Sequence, residues 1–169
     1  MKTLPRGLKN NNPGNIVKDR QVWLGEVVPS TDVRFKQFKT RAHGYRAIFV
    51  NLSSYIRKGH NTIQKIITRW APAFENNTSS YIAHVAAMSG IGKDTPISVG
   101  DNVALIELAK AISKIENGVP AVEREVLDGF NMWLSGVEKK KILTLSGLSI
   151  VAVGLIAAGI YLFVKGKKK

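Results

Sequence analysis

Apolar residues recur every three to four positions from Ala42 onward, and they do not do so before it. Over Ala42–Lys58, Tyr45, Ile48, Phe49, Leu52 and Ile56 share one side of a 3.6-residue period, and Gly59 offers a stop. Thr62 is placed to cap a second helix that runs through Trp70 and ends at Pro72. Thr78 caps a third over Ser79–Ser89, followed by Gly90. Asp101 caps a fourth over Asn102–Glu116, followed by Gly118. Pro120 suits the first turn of a fifth helix that reaches about Leu134. The segment between the third and fourth, Ile91–Gly100, reads as a loop.

The N-terminal part follows another pattern. Gly7–Asn15, GLKNNNPGN, is dense in turn formers and reads as loop. Three short pieces follow, Ile16–Lys18, Val22–Val28 and Val33–Phe38. They alternate loosely, carry β-branched and aromatic residues, and are separated by Asp, Gly and Pro. They predict a small antiparallel β-lobe. The expected fold class is therefore α+β: a mainly helical domain with a small N-terminal β-lobe.

Ile142–Val164 is a run of 23 residues without a charge, bracketed by Lys139–Lys141 and by Lys165 and Lys167–Lys169. A bilayer-spanning helix needs ~20 such residues. The run predicts one C-terminal transmembrane helix, and a division into a domain over 1–138 and an anchor over 139–169. The N-terminus, MKTLPRGLKNNNPG, has no apolar stretch of the secretory type, so a single-pass, tail-anchored arrangement is expected. Both flanks are basic and leave the orientation open.

The chain carries 25 basic and 12 acidic residues, a formal charge of +13. The charge is uneven: Met1–Trp70 has 14 basic and 3 acidic residues, net +11, whereas Ala71–Glu138 has 4 and 9, net −5. A basic half can face nucleic acid, anionic lipid or an anionic wall polymer. With no cysteine, disulfides and thiolate zinc sites are excluded. His43, His60 and His84 form no ligand spacing, and no phosphate loop or dinucleotide fingerprint occurs, so neither metal nor cofactor is expected.

The fourth helix ends unusually. Leu105, Leu108, Ala109 and Ile112 form one face, and Glu116 falls on the same face at the next step of four. An acid at the end of a buried stripe is partly desolvated, and a helix C-terminus carries partial negative charge. Both effects favour the protonated acid, which is what a glycosidic leaving oxygen requires. A fraying helix end or a local capping role would account for the same pattern.

Sequence motifs add to this. RGLKNNNPGNI, then Val22-Trp23-Leu24-Gly25, then Val33-Arg34-Phe35-Lys36-Gln37-Phe38, resemble the β-lobe of peptidoglycan glucosaminidases of the lysozyme-like superfamily. Trp70–Val85 resembles that family's late helix, with Tyr81 near its start. The family's catalytic helix precedes the asparagine turn; the helix of that kind here ends in IENG and follows it, so the order would be circularly permuted. Arg6–Gly118 as a whole, about two thirds of the chain, is similar to virion-associated proteins of bacterial viruses described as structural or lytic transglycosylase-like. The resemblance implies Glu116 as the general acid and Asn11, Asn12, Asn15, Trp23 and Tyr81 as substrate-binding residues. Turn hydrogen bonds for the asparagines and core positions for the two aromatics are the alternative roles. Glu75 is the rival acid, in a turn where capping the next helix is its local role. Glu26 and Asp32 are candidates for a second carboxylate, but no paired-acid signature occurs, which favours a single-acid lytic mechanism over hydrolysis.

The expected function is thus a membrane-anchored virion protein that cuts peptidoglycan glycan strands locally as a phage penetrates the cell. It would sit in the internal membrane of a virion or in the bacterial inner membrane. Lipid bilayer and capsid or other virion membrane proteins are its expected partners. The alternative is a non-enzymatic virion protein bridging membrane to capsid or, through its basic half, to nucleic acid.

Overall fold

The computed structural model describes residues 3–72 and 77–137. Six helices are present among them: α1 (Arg6–Lys9), α2 (Arg41–Arg57), α3 (Ile63–Trp70), α4 (Thr78–Ser89), α5 (Asn102–Asn117) and α6 over 123–137. The chain divides into two units, Met1–Trp133 and Leu134–Lys169. No helix among the described residues is long and apolar enough to cross a membrane. The expected anchor over 142–164 lies outside the described residues.

The helical boundaries follow local signals. Thr40, Thr62 and Asp101 each accept a hydrogen bond from the backbone N–H three residues on, and these bonds satisfy first-turn donors that would otherwise lack a partner. The cap of α4 is Asn77 rather than Thr78: its Oδ1 accepts from Ser80 N at 3.2 Å, while the Thr78 hydroxyl donates to Ala71 O at 2.6 Å. α1 is one turn that overlaps the start of the segment expected to be loop, and α6 starts after Pro120 rather than at it.

The expected α+β class is corrected: the described residues contain no strand. The lobe over 16–38 holds two isolated antiparallel bridges, Val17 with Phe35 and Glu26 with Phe38. The reason is a change of partner. Residues 34–36 exchange bonds with 16–18 (Lys18 N to Arg34 O, Lys36 N to Ile16 O), then 37–39 turn to 25–27 (Val27 N to Gln37 O, Lys39 N to Gly25 O). Neither pairing continues long enough to become a ladder. Among the described residues no second layer covers the lobe, so Val17, Val22, Leu24, Val28 and Val33, which suggested strands, are exposed. Ile16, Lys36 and Phe38 are the lobe residues that turn inward.

The core lies among the helices. α5 packs against α4, α2 and α1, and α3 packs against α4 and α2. Ile48, Phe49 and Leu52 of α2 and Leu105, Leu108 and Ile112 of α5 are fully buried. Phe49 meets Phe130 of α6 edge-on at 5.2 Å, and Trp133 completes an aromatic cluster. Tyr45 and Ser113 share a buried hydrogen bond of 2.9 Å between α2 and α5. α5 is thereby fixed along its length, and the position of its C-terminal end follows from the core.

Candidate active site

Three consecutive residues end α5, and each does something different. Glu116 lines a pocket of about 360 Å³. Asn117 is buried and donates from Nδ2 to Pro13 O and Ser113 O, both at 2.8 Å, so it docks the helix end onto the asparagine loop. Gly118 adopts the left-handed conformation, φ 70°, and stops the helix. The E-N-G order thus places an acid beside a loop that lies about a hundred residues earlier in the chain.

The Glu116 carboxylate is half-buried and accepts three hydrogen bonds from uncharged donors. Tyr81 OH donates to Oε1 at 2.8 Å, and Trp70 Nε1 donates to the same oxygen at 3.4 Å. Asn15 Nδ2 donates to Oε2 at 2.9 Å. The stripe pattern suggested a partly desolvated acid, and Glu116 is half-buried; its neighbours, though, are not only apolar. The structure instead surrounds it with donors from α3, α4 and the asparagine loop. Burial first, then the Glu116 charge and the hydrogen bond to it, push the Tyr81 hydroxyl well above the ordinary phenol range. Tyr81 therefore stays protonated and remains a donor.

The five residues expected to bind substrate separate into two groups. Asn15 and Trp23 line the pocket, and Tyr81 reaches it through Glu116. Asn15 sits at φ 46°, a left-handed position that Asn tolerates better than most residues. Asn12 is fully buried, donates to Ile16 O and Lys36 O at 2.9 Å and accepts from Ile16 N at 2.9 Å. Asn11, at φ 50°, donates to Phe38 O and Lys39 O. These two staple the loop to the lobe. Glu75 lies outside the described residues.

Neither carboxylate considered as a second acid belongs to this pocket's lining. Asp32 is 7% exposed and holds Arg6 through two bonds of 2.8 Å, together with Asn10 Nδ2 and the N–H groups of Arg34 and Phe35. The Arg6 hydrogen bond first, then those backbone and Asn10 donors, outweigh burial and hold its carboxyl well below the usual range. Glu26 accepts from Lys36 and from Trp23 N. The other acid that lines the pocket beside Glu116 is Asp19, which no sequence motif marks, together with Trp70, Tyr55 and Asn51. Trp70 carried a signal, since it begins the motif that contains Tyr81. Asp19 carried none: it is a lone acid in an irregular segment. Among the described residues no group of histidines and acids could hold a metal ion.

Protein P5 of Pseudoalteromonas phage PM2 is 38% identical to this chain over 136 residues, covering 78% of the chain and 83% of that protein. The chain belongs to the Protein P5 family. It is therefore a member of a family of bacterial-virus proteins. No protein-family model matches the chain, so none supports membership in the lysozyme-like superfamily. Membership in the P5 family says nothing of peptidoglycan cleavage, and the chemistry rests on the pocket.

Proposed function

We propose that this chain is a virion component that cleaves peptidoglycan glycan strands, with Glu116 as the general acid. The observation that carries the reading is the Glu116 carboxylate in a pocket, held by Asn15, Tyr81 and Trp70 from three separate segments. Orientation of this kind is what proton transfer to a leaving oxygen needs. The bonding also distinguishes the two oxygens. Oε1 accepts two hydrogen bonds and Oε2 one, so Oε2 has the free position for the acid proton. Glu116 gives that proton to the bridging oxygen as the C1–O bond breaks. In the single-acid course the sugar's own 6-hydroxyl oxygen then bonds to C1 and returns its proton to Glu116. Trp23, Trp70 and Tyr55 in the lining suit a sugar ring, whose C–H faces stack on aromatic side chains.

The test uses the full-length chain on purified peptidoglycan, following release of soluble glycan fragments. Wild type releases fragments, and Glu116→Gln reduces the rate by ~10²-fold or more, the usual contribution of a positioned acid. Glu75→Gln keeps its rate. The opposite pattern assigns the chemistry to Glu75. If wild type releases nothing, the enzymatic reading fails. The net +11 of Met1–Trp70 would then favour a structural role on nucleic acid, seen as binding that weakens steeply with salt.

A further inference from the structure

We propose that Asp19 is a specificity-determining residue of the pocket, accepting a hydrogen bond from a hydroxyl or amide N–H of an uncharged amino sugar, and that buried Lys36 is the positioning residue that holds it. The inference rests on the glycan-cleaving reading and names the kind of sugar unit one wall selects.

Lys36 is fully buried, and a buried ammonium is costly unless it is well partnered. Glu26, 8% exposed, meets it at 3.0 Å, and Gln21 O accepts from it at 2.7 Å. That one carboxylate already balances the charge. Asp19 is a second one, 2.9 Å from the ammonium through Oδ1, yet its side chain is 51% exposed. Charge balance therefore does not explain why Asp19 is there. Its position does: Asp19 lines the same pocket as Glu116.

The cluster fixes that wall. Lys36 lies 5.7 Å from the centre of the Trp23 ring, and Glu26 accepts from Trp23 N at 2.9 Å, so one buried ammonium braces both Asp19 and Trp23. Asp19 Oδ1 is taken by Lys36 and by Gln21 N at 3.0 Å, and the Trp23 side chain lies beside the same carboxylate. A carboxylate has about four acceptor positions, so one remains for a ligand on its pocket side. Burial alone would raise the Asp19 carboxyl, but the bonds from Lys36 and Gln21 N, the Lys36 charge and the Trp23 side chain outweigh it and hold the acid below its ordinary value. An ionised carboxylate only accepts hydrogen bonds. It attracts hydroxyl and amide donors and repels a carboxylate on the ligand. This wall thus favours an uncharged sugar unit, such as N-acetylglucosamine, over one bearing a free carboxylate.

The probe is the hexamer of N-acetylglucosamine, titrated calorimetrically into the full-length Glu116→Gln chain. Adding Asp19→Ala weakens binding ~10-fold or more, the loss expected for a charge-assisted hydrogen bond. Lys36→Met does the same, and Lys36→Arg restores most of the affinity. In the cleaving protein, Asp19→Ala raises KM and changes kcat less than about threefold. Should Lys36→Met fail to fold, Asp19→Ala still decides, because its side chain is half exposed. Unchanged hexamer affinity in Asp19→Ala overturns the proposal. So does a fall in kcat at constant KM, which would place Asp19 in the proton chemistry. If the Glu116→Gln parent itself ignores the hexamer and wild type leaves peptidoglycan intact, the glycan-cleaving reading has failed and this inference falls with it.

Discussion

Replacing Tyr81 by phenylalanine removes one hydroxyl from the site and leaves the ring packed where it is. The ring is 8% exposed, so its burial is retained and the fold loses little. What changes is the partner of Glu116 Oε1, which loses its 2.8 Å donor and keeps only Trp70 at 3.4 Å. A hydrogen bond to a charged acceptor contributes ~1.5–3 kcal/mol. Under the proposed mechanism Glu116 is neutral before proton transfer and an anion after it. The Tyr81 bond therefore strengthens on the way to the transition state, which is the condition for it to raise kcat rather than lower KM. Each ~1.4 kcal/mol is a factor of ten in rate. Charge develops only partly at the transition state, and Trp70 can take up some of the loss. The lower end applies: kcat falls about tenfold with KM unchanged. Steady-state kinetics on soluble glycan fragments, with a thermal melt as a folding control, make the comparison. A Tyr81→Phe protein that melts like wild type and keeps kcat within twofold refutes the reasoning, since the hydroxyl would then have no part in stabilising the anion.

Two further outcomes test how the site is supported. Asp32→Asn removes the charge that ties Arg6, Asn10 and two backbone N–H groups together. Arg6 is half exposed and contributes little, so the part-buried bonds from Asn10 Nδ2 and Phe35 N set a cost of about 2 kcal/mol, or ~5–8 °C in Tm. The Asp32 carboxyl is depressed in the folded chain, so its contribution is fully present above the ordinary carboxylate pKa of ~3.9 and is lost as pH falls below it. The Tm gap between wild type and Asp32→Asn should hold from pH 8 to 5 and shrink below about pH 4; a gap that widens in acid contradicts the assignment. Gly44→Ala pits two effects against each other in α2. Alanine gains ~1 kcal/mol of helix propensity, but its Cβ would sit 2.1 Å from Asn11 O and 2.5 Å from Pro13 Cδ, on the loop that positions Asn15. Overpacking at ~1–3 kcal/mol wins because the nearest obstacle is backbone. The urea midpoint should fall, and a midpoint equal to or above wild type shows that the loop is not held against α2.

The helices were legible because their signals are local. Thr40, Thr62 and Asp101 act on amides three residues away, and Gly118 needs only its own backbone freedom. The stripe Leu105–Leu108–Ala109–Ile112 marked the buried face of α5, and the next step along it found Glu116, the acid in the pocket. The lobe misled for a related reason. Its β-branched residues describe a preference for extended backbone, whereas a strand also needs a partner that stays in register, and residues 34–39 divide their bonds between two segments. Sequence by itself thus determined the bounds of α2, α3 and α5, which face of them is apolar and which acid closes the stripe of α5; it missed α1, the Asn77 cap of α4 and the start of α6. Tertiary structure alone decided that Asn15, Trp70 and Tyr81 converge on that acid from 101, 46 and 35 residues away, and that Asp19 rather than Glu26 or Asp32 lines the pocket. Periodicity reports only which side of an element faces inward. What meets it there is set by the packing of the whole domain.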